Sequence, residues 1–180
     1  MSGNLSMSFL SRIFGERRER ARLQPLYDAI VAAGRDKFWY LDGGVPDTID
    51  GRFGMVSSLL ALVLLRMEAE GASARRDEVL LTEVFIDDMN GTVRQIGIGD
   101  QVVGKHIGKM MSALGGRLGA YRDSAGDEAA FAAAVRRNIF ADAPPSEDAV
   151  ATVATRLAAY RAALAPLSAA DLLAGRLPTL

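Results

Sequence analysis

The sequence predicts an all-α fold, a single compact helical domain of six to seven helices with a structured loop near residues 37–53. Three observations predict it. Apolar residues recur at three- and four-residue spacing along most of the chain. Glycines, prolines and hydroxyl or carboxylate cap residues punctuate those stretches where helices should start and stop. Only Val102-Val103 and the stretch Thr92 to Ile98 look strand-like, and neither is joined by a hairpin turn to a second alternating run.

The first element follows from Leu23, Leu26, Tyr27, Ile30 and Val31, which mark an amphipathic helix from about Glu16 to Ala33 that Gly34 stops. Pro25 should lie near its first turns or kink it. Residues Lys37 to Phe53 contain Gly43, Gly44, Pro46, Asp47, Asp50 and Gly51, which is turn chemistry rather than continuous helix. From Phe53 to about Glu70 the pattern is apolar on most faces, as expected of an enclosed helix. A second central helix runs from Val79 to Val93, with Phe85 and Met89 on its apolar face.

Gly97 and Gly99 then break the pattern, and Asp100 is a good N-cap for a helix carrying Val103, Ile107, Met110, Met111 and Leu114. Gly115, Gly116 and Gly119, followed by Asp123 to Gly126, read as a connector. Phe131, Val135 and Ile139 mark the next helix, which Pro144 and Pro145 terminate. Ser146 opens an Ala-rich helix with Val150, Val153, Leu157, Tyr160 and Leu164 inward, and Ser168 with Asp171 forms a capping box for a short last helix. Residues 1–15 are expected to form a flexible or amphipathic leader and residues 16–180 the helical domain. In that leader Phe9, Leu10, Ile13 and Phe14 stand beside Arg12, Arg17, Arg18 and Arg20, a pattern able to rest on an anionic membrane surface or to fold onto the core.

Composition excludes several classes of function. With no Cys and one His there is no disulfide framework, thiolate nucleophile, iron–sulfur cluster or Cys-rich zinc site. Twenty-one basic against 22 acidic residues leave a net charge of -1, which argues against general nucleic-acid binding, since that is mostly neutralisation of phosphates. The most apolar run, Leu59 to Leu65, is closed by Arg66, Glu68 and Glu70 and is far shorter than the roughly 20 residues a membrane span needs.

Three local patterns invite chemistry. Gly99 to His106 matches the phosphate-binding pattern G-x-x-x-x-G-K-[ST] except at its last place, where His106 replaces the magnesium-binding hydroxyl. The competing role of Gly99 and Gly104 is a turn and a close helix contact. Asp87, Asp88 and Asp100 resemble the beginnings of a cation site or an acid–base pair, but neighbours on a helix point about 100° apart and a third ligand is missing. A solvated or ion-paired polar face is the plainer reading. Lys105, Lys109 and Arg117, with Arg94 upstream, form a small positive patch beside those acids, a mixture suited to recognising another protein.

Three stretches together resemble the ubiquinol-cytochrome c chaperone family: Leu26-Tyr27-x-x-Ile30-Val31; Val45-Pro46-Asp47-Thr48-Ile49-Asp50-Gly51-Arg52-Phe53; and the long block from Phe85-Ile86-Asp87-Asp88-Met89 through Val93-Arg94, Gly97-Ile98-Gly99-Asp100 and Val103-Gly104-Lys105 to Lys109-Met110, Gly116-Arg117 and Tyr121. The resemblance spans roughly residues 23 to 121, with departures at Asn90, Gln95 and Gly115.

It implies a helical, non-catalytic assembly chaperone, without cofactor or metal, that binds newly made cytochrome b and promotes assembly of ubiquinol-cytochrome c reductase. It further implies a small helper protein and the ribosome as partners, no specific nucleic acid, and a cytoplasmic location with peripheral contact to the inner membrane. Such a client calls for an apolar groove with a charged rim. Asp87, Asp88, Arg94, Asp100, Lys105, Lys109 and Arg117 are the expected partner-binding residues, while Pro46, Asp47, Asp50, Gly51 and Arg52 are expected to structure the loop. Met55, Met67, Met89, Met110 and Met111 are either adaptable contacts or core. The alternative function is a small helical nucleotide-binding or enzymatic protein using the Gly99–Lys105 loop.

Overall fold

The computed structural model describes the backbone of residues 4–95, 100–140 and 145–179, and the side chains of 17–92, 103–140 and 145–179. The first helix, α1, runs Asn4–Gly34 and buries Leu23, Leu26, Tyr27 and Ile30. Pro25 lies inside it, and the helix continues past. Gly34 ends α1 where a side chain has no room, because a Cβ there would meet the Val56 Cγ2 at 2.7 Å.

The expected loop contains a one-turn helix, α2 (Lys37–Leu41), started by Asp36, whose carboxylate accepts from the Phe38 N–H at 2.8 Å. Trp39 in α2 is fully buried, and its Nε1 donates to the Ala33 carbonyl at 2.8 Å. The chain then turns through Pro46 into α3 (Ile49–Glu68), with the Thr48 hydroxyl accepting from the Gly51 N–H at 3.1 Å. This corrects the expected start at Phe53. The Thr48 cap moves the first turn back to Ile49, so Asp50 and Gly51 are helical rather than loop. Gly51 is required at its place, since a Cβ would lie 1.9 Å from the Pro46 carbonyl oxygen.

Helix α3 is the hub. Met55 to Leu64 are buried without interruption, and α1, α4, α5, α6 and α7 all pack on it. After a 3₁₀ turn at Gly71–Ser73, α4 (Arg75–Gln95) packs between α1 and α5. The expected break at Gly97 and Gly99 falls outside the described residues.

Helix α5 runs Asp100–Asp123 straight through Gly115, Gly116 and Gly119, correcting the connector expected there. A glycine inside a helix costs about 1 kcal/mol relative to alanine. Burial of Leu114, Arg117 and Tyr121 on the inner face outweighs it, since one fully buried large side chain contributes about 2 kcal/mol. The real turn is Ser124–Asp127, where Gly126 has φ +85°.

Asp127 caps α6 (Glu128–Ile139), Ser146 caps α7 (Glu147–Leu164), and Ser168 with Asp171 closes the expected capping box of α8 (Ala169–Leu173). Gly175, φ +71°, ends α8 with its N–H on Leu172 and the Arg176 N–H on Asp171, the pattern of a left-handed helix stop. The all-α expectation holds: among the described residues there are six long helices, two of a single turn, and no strand. No described helix is long and apolar enough to cross a membrane.

Candidate functional site

Helices α1 and α4 do not close on each other along their outer edges. Between them lies an open cleft of about 550 Å³ lined by Arg17, Arg20, Gln24, Tyr27, Asp28, Val31, Arg35, Asp87 and Asp88, among others. Val31, Arg35 and Asp88 also line a second cavity of about 160 Å³, whose remaining wall is largely apolar: Ile49, Phe53, Val56, Met89 and Met110. The two form one groove, polar along α1 and apolar where the N-terminal end of α3 meets α4 and α5.

The polar half is built by helical spacing. Arg20 and Tyr27 stand two turns apart on one face of α1 and meet consecutive acids of α4. Arg20 reaches Asp87 at 3.1 Å and Glu83 at 2.9 Å. The Tyr27 hydroxyl donates to Asp88 Oδ2 at 2.7 Å. Burial, reinforced by that bond, raises the pKa of Tyr27, so the phenol stays a donor and keeps Asp88 pinned toward α1. Gln24 donates in turn to Asp28 at 2.8 Å.

The apolar half rests on rings. Phe53 lies 6.1 Å from Phe85, which meets Tyr27 edge-on at 6.5 Å, so the wall of the apolar cavity and the tyrosine of the polar cleft share one aromatic neighbour. The Arg117 guanidinium also lies over the Phe53 ring, 5.3 Å from its centroid. Ile49, 57% exposed, stands at the mouth of the cavity.

Among the expected partner-binding residues, Asp87 and Asp88 are brought to the groove. Lys105 and Lys109 are exposed one turn apart on α5, and neither makes an ion pair among the described residues. Arg117 sits elsewhere: it is 5% exposed, donates to the Asn138 carbonyl and faces the core. The side chains of Arg94 and Asp100 lie outside the described residues. Of the loop residues, Asp47 accepts from Arg52 Nε at 2.6 Å, Pro46 turns the chain against Gly51, and Asp50 is exposed in the first turn of α3. The five methionines divide: Met55 and Met67 are core, Met111 is half-buried against the core, and Met89 and Met110 line the groove.

Gly104 and Lys105 lie within the helical backbone of α5, where consecutive amides point along the axis to their own carbonyls and cannot wrap a phosphate. Among the described residues no three His, Asp or Glu side chains converge where they could hold a metal. The sequence reading overlooked Arg17, Arg20 and Arg35 as groove residues. Their only signal was the α1 periodicity, which places Arg17 five turns from Arg35, the residue just past Gly34 whose N–H still reaches the Val31 carbonyl.

No curated protein matches the chain. The sequence profile of the family described as Ubiquinol-cytochrome C chaperone matches residues 41–179, further toward the C-terminus than the resemblance traced through the motifs. Among solved structures, the crystal structure of the Cbp3 homolog from Brucella abortus is similar, with 32% identity and a TM-score of 0.77, covering 95% of this chain and 96% of that one. The all-α fold and the family profile agree, and this chain belongs to the ubiquinol-cytochrome c chaperone family.

Proposed function

We propose that this protein is an assembly chaperone that binds newly made cytochrome b and promotes its incorporation into ubiquinol-cytochrome c reductase, by binding and release without covalent chemistry. The observation that carries the reading is the α1–α4 groove, in which an apolar cavity walled by Phe53, Met89 and Met110 opens beside a charged cleft. An unassembled membrane subunit presents apolar surface that must be covered yet released, and thioether side chains adapt to such surfaces at low cost. Charged groups on the rim set orientation and encounter rate rather than affinity. Asp87 and Asp88 belong to that rim, Lys105 and Lys109 extend it along α5, and the protein works at the cytoplasmic face of the inner membrane, where its client emerges.

Deleting the gene in its host tests this. Assembled ubiquinol-cytochrome c reductase and its haem b should fall while other respiratory complexes persist, and the protein should co-purify with cytochrome b before assembly. Unchanged levels of the complex and its haem would overturn the proposal.

A further inference from the structure

The polar cleft is formally balanced, with Arg17, Arg20 and Arg35 facing Asp28, Asp87 and Asp88, and Arg52 at the apolar cavity is paired with Asp47, yet these charges are unequally committed. Each carboxylate already accepts a bond from inside the chain: Asp87 from Arg20, Asp88 from Tyr27 and Asp28 from Gln24. Arg20 is held between Glu83 and Asp87. Arg17 and Arg35 are exposed, and neither makes an ion pair among the described residues. Arg35 also lines the apolar cavity, beside Phe53, Met89 and Met110.

We infer that the occupant of this groove is an acidic amphipathic helix, with one apolar side chain in the Phe53–Met89–Met110 cavity and carboxylates at its two ends meeting Arg35 and Arg17. Arg17 and Arg35 are separated by roughly 27 Å, five turns at about 1.5 Å per residue, so a helix lying along α1 spans them with about 20 residues. The cavity of about 160 Å³ admits one aliphatic side chain of leucine size beside the Arg35 end, which sets the orientation. This inference rests on the groove being the client site and specifies the chemistry that enters it.

The test uses the full chain and three fluorescent helical peptides of about 20 residues, alike in one Leu anchor and differing only in Glu, Gln or Lys at both ends. By anisotropy the Glu peptide should bind about tenfold more tightly than the Gln peptide, the worth of two rim ion pairs. Its advantage should shrink with added salt. The Arg17→Glu/Arg35→Glu variant should reverse the preference toward the Lys peptide. Equal binding of the three, preference of the wild type for Lys, or no binding of any would each overturn the inference. Binding of phosphatidylglycerol vesicles lost in the same variant, with no preference among peptides, would also overturn it and assign the cations to a membrane. Host cells separate this from the underlying reading. If Met89→Arg lowers assembled reductase and Arg17→Glu/Arg35→Glu does not, the groove stands and the acidic occupant falls. If neither lowers it, the groove itself falls as client site.

Discussion

Arg117 lies over Phe53, its guanidinium 5.3 Å from the ring centroid, and donates to the carbonyl of Asn138 next to the C-terminal end of α6. Among the described residues no acid partners this 5%-exposed cation, and burial lowers its pKa. The negative face of the ring and the negative end of the helix together take the place of a carboxylate. Arg117→Met should change stability by only about 1 kcal/mol, because a desolvated charge and a packed stem are exchanged for an apolar side chain at the expense of one unpaired carbonyl. Arg117→Ala should cost about 3 kcal/mol by adding a cavity. Urea titration of both variants checks the ordering, and an alanine variant as stable as wild type would remove the ring contact from the account.

Glycines that look alike in the sequence should respond oppositely. Gly115→Ala, at an exposed position of α5 with nothing within 4 Å of the new methyl, should stabilise by about 0.5–1 kcal/mol. Gly51→Ala drives a methyl to 1.9 Å from the Pro46 carbonyl oxygen, and should cost about 2 kcal/mol or more by displacing the turn that enters α3. Thermal melts of the two variants measured side by side decide it.

Arg66 ties the end of α7 to the hub helix. Its Nε donates to the carbonyls of Leu164 and Ala165 at 3.2 and 3.1 Å, and its Nη2 to Leu167 and to Glu70. Arg66→Lys cannot reproduce that fork and should lose about 1 kcal/mol, Arg66→Ala about 2 kcal/mol. Amide exchange at Leu164, Ala165 and Leu167 should accelerate in both variants. Unchanged protection there would show that α7 ends securely without this residue.

The last cap gives a pH signature. Bonds from Ser168 and Arg176 hold the Asp171 carboxyl at about 2, below its ordinary 3.8. A folded-state value below the unfolded one means that the contribution is fully present above 3.8 and is lost as the pH falls toward 2. Asp171→Asn should therefore flatten the acid limb of stability between those values, and from pH 5 to 7 it should lower stability by a constant amount without changing the slope. Denaturation midpoints across that range provide the check.

Loss of the apolar wall should be felt in client capture before it is felt in folding. Met89 is half-buried, so Met89→Ala should cost about 1–2 kcal/mol of stability, at or below the low end for buried methionines, yet reduce co-purified cytochrome b severalfold. Equal co-purification at equal expression would detach the cavity from the function.

Much of the fold is legible from periodicity. The helix ends at Ser146 and Ser168 and the apolar body of α3 follow from residue types whose preferences act locally. Residues 115–119 misled because three glycines carry a local signal for a turn, whereas the helix there is decided by Leu114, Arg117 and Tyr121 packing against distant elements. The groove was half legible. Asp87 and Asp88 stand out as an acidic pair, but their partners Arg20 and Tyr27 lie more than 60 positions away and meet them only because α1 and α4 run side by side. No spacing rule links residues across such a distance. Arg117 shows the opposite error, since a cation in a sequence suggests solvent and only the ring beneath it and the helix-end carbonyl explain its burial.

Because Met55 to Leu64 of α3 are buried among five other helices, the amide protons of that stretch should reach deuterium only through opening of the whole molecule. Exchange at Leu59 to Leu64 should thus report the global free energy, whereas the exposed positions of α1 and α4 along the groove should exchange faster. With the groove as the proposed client site, the molecule pairs a rigid axle with a loading surface at its rim.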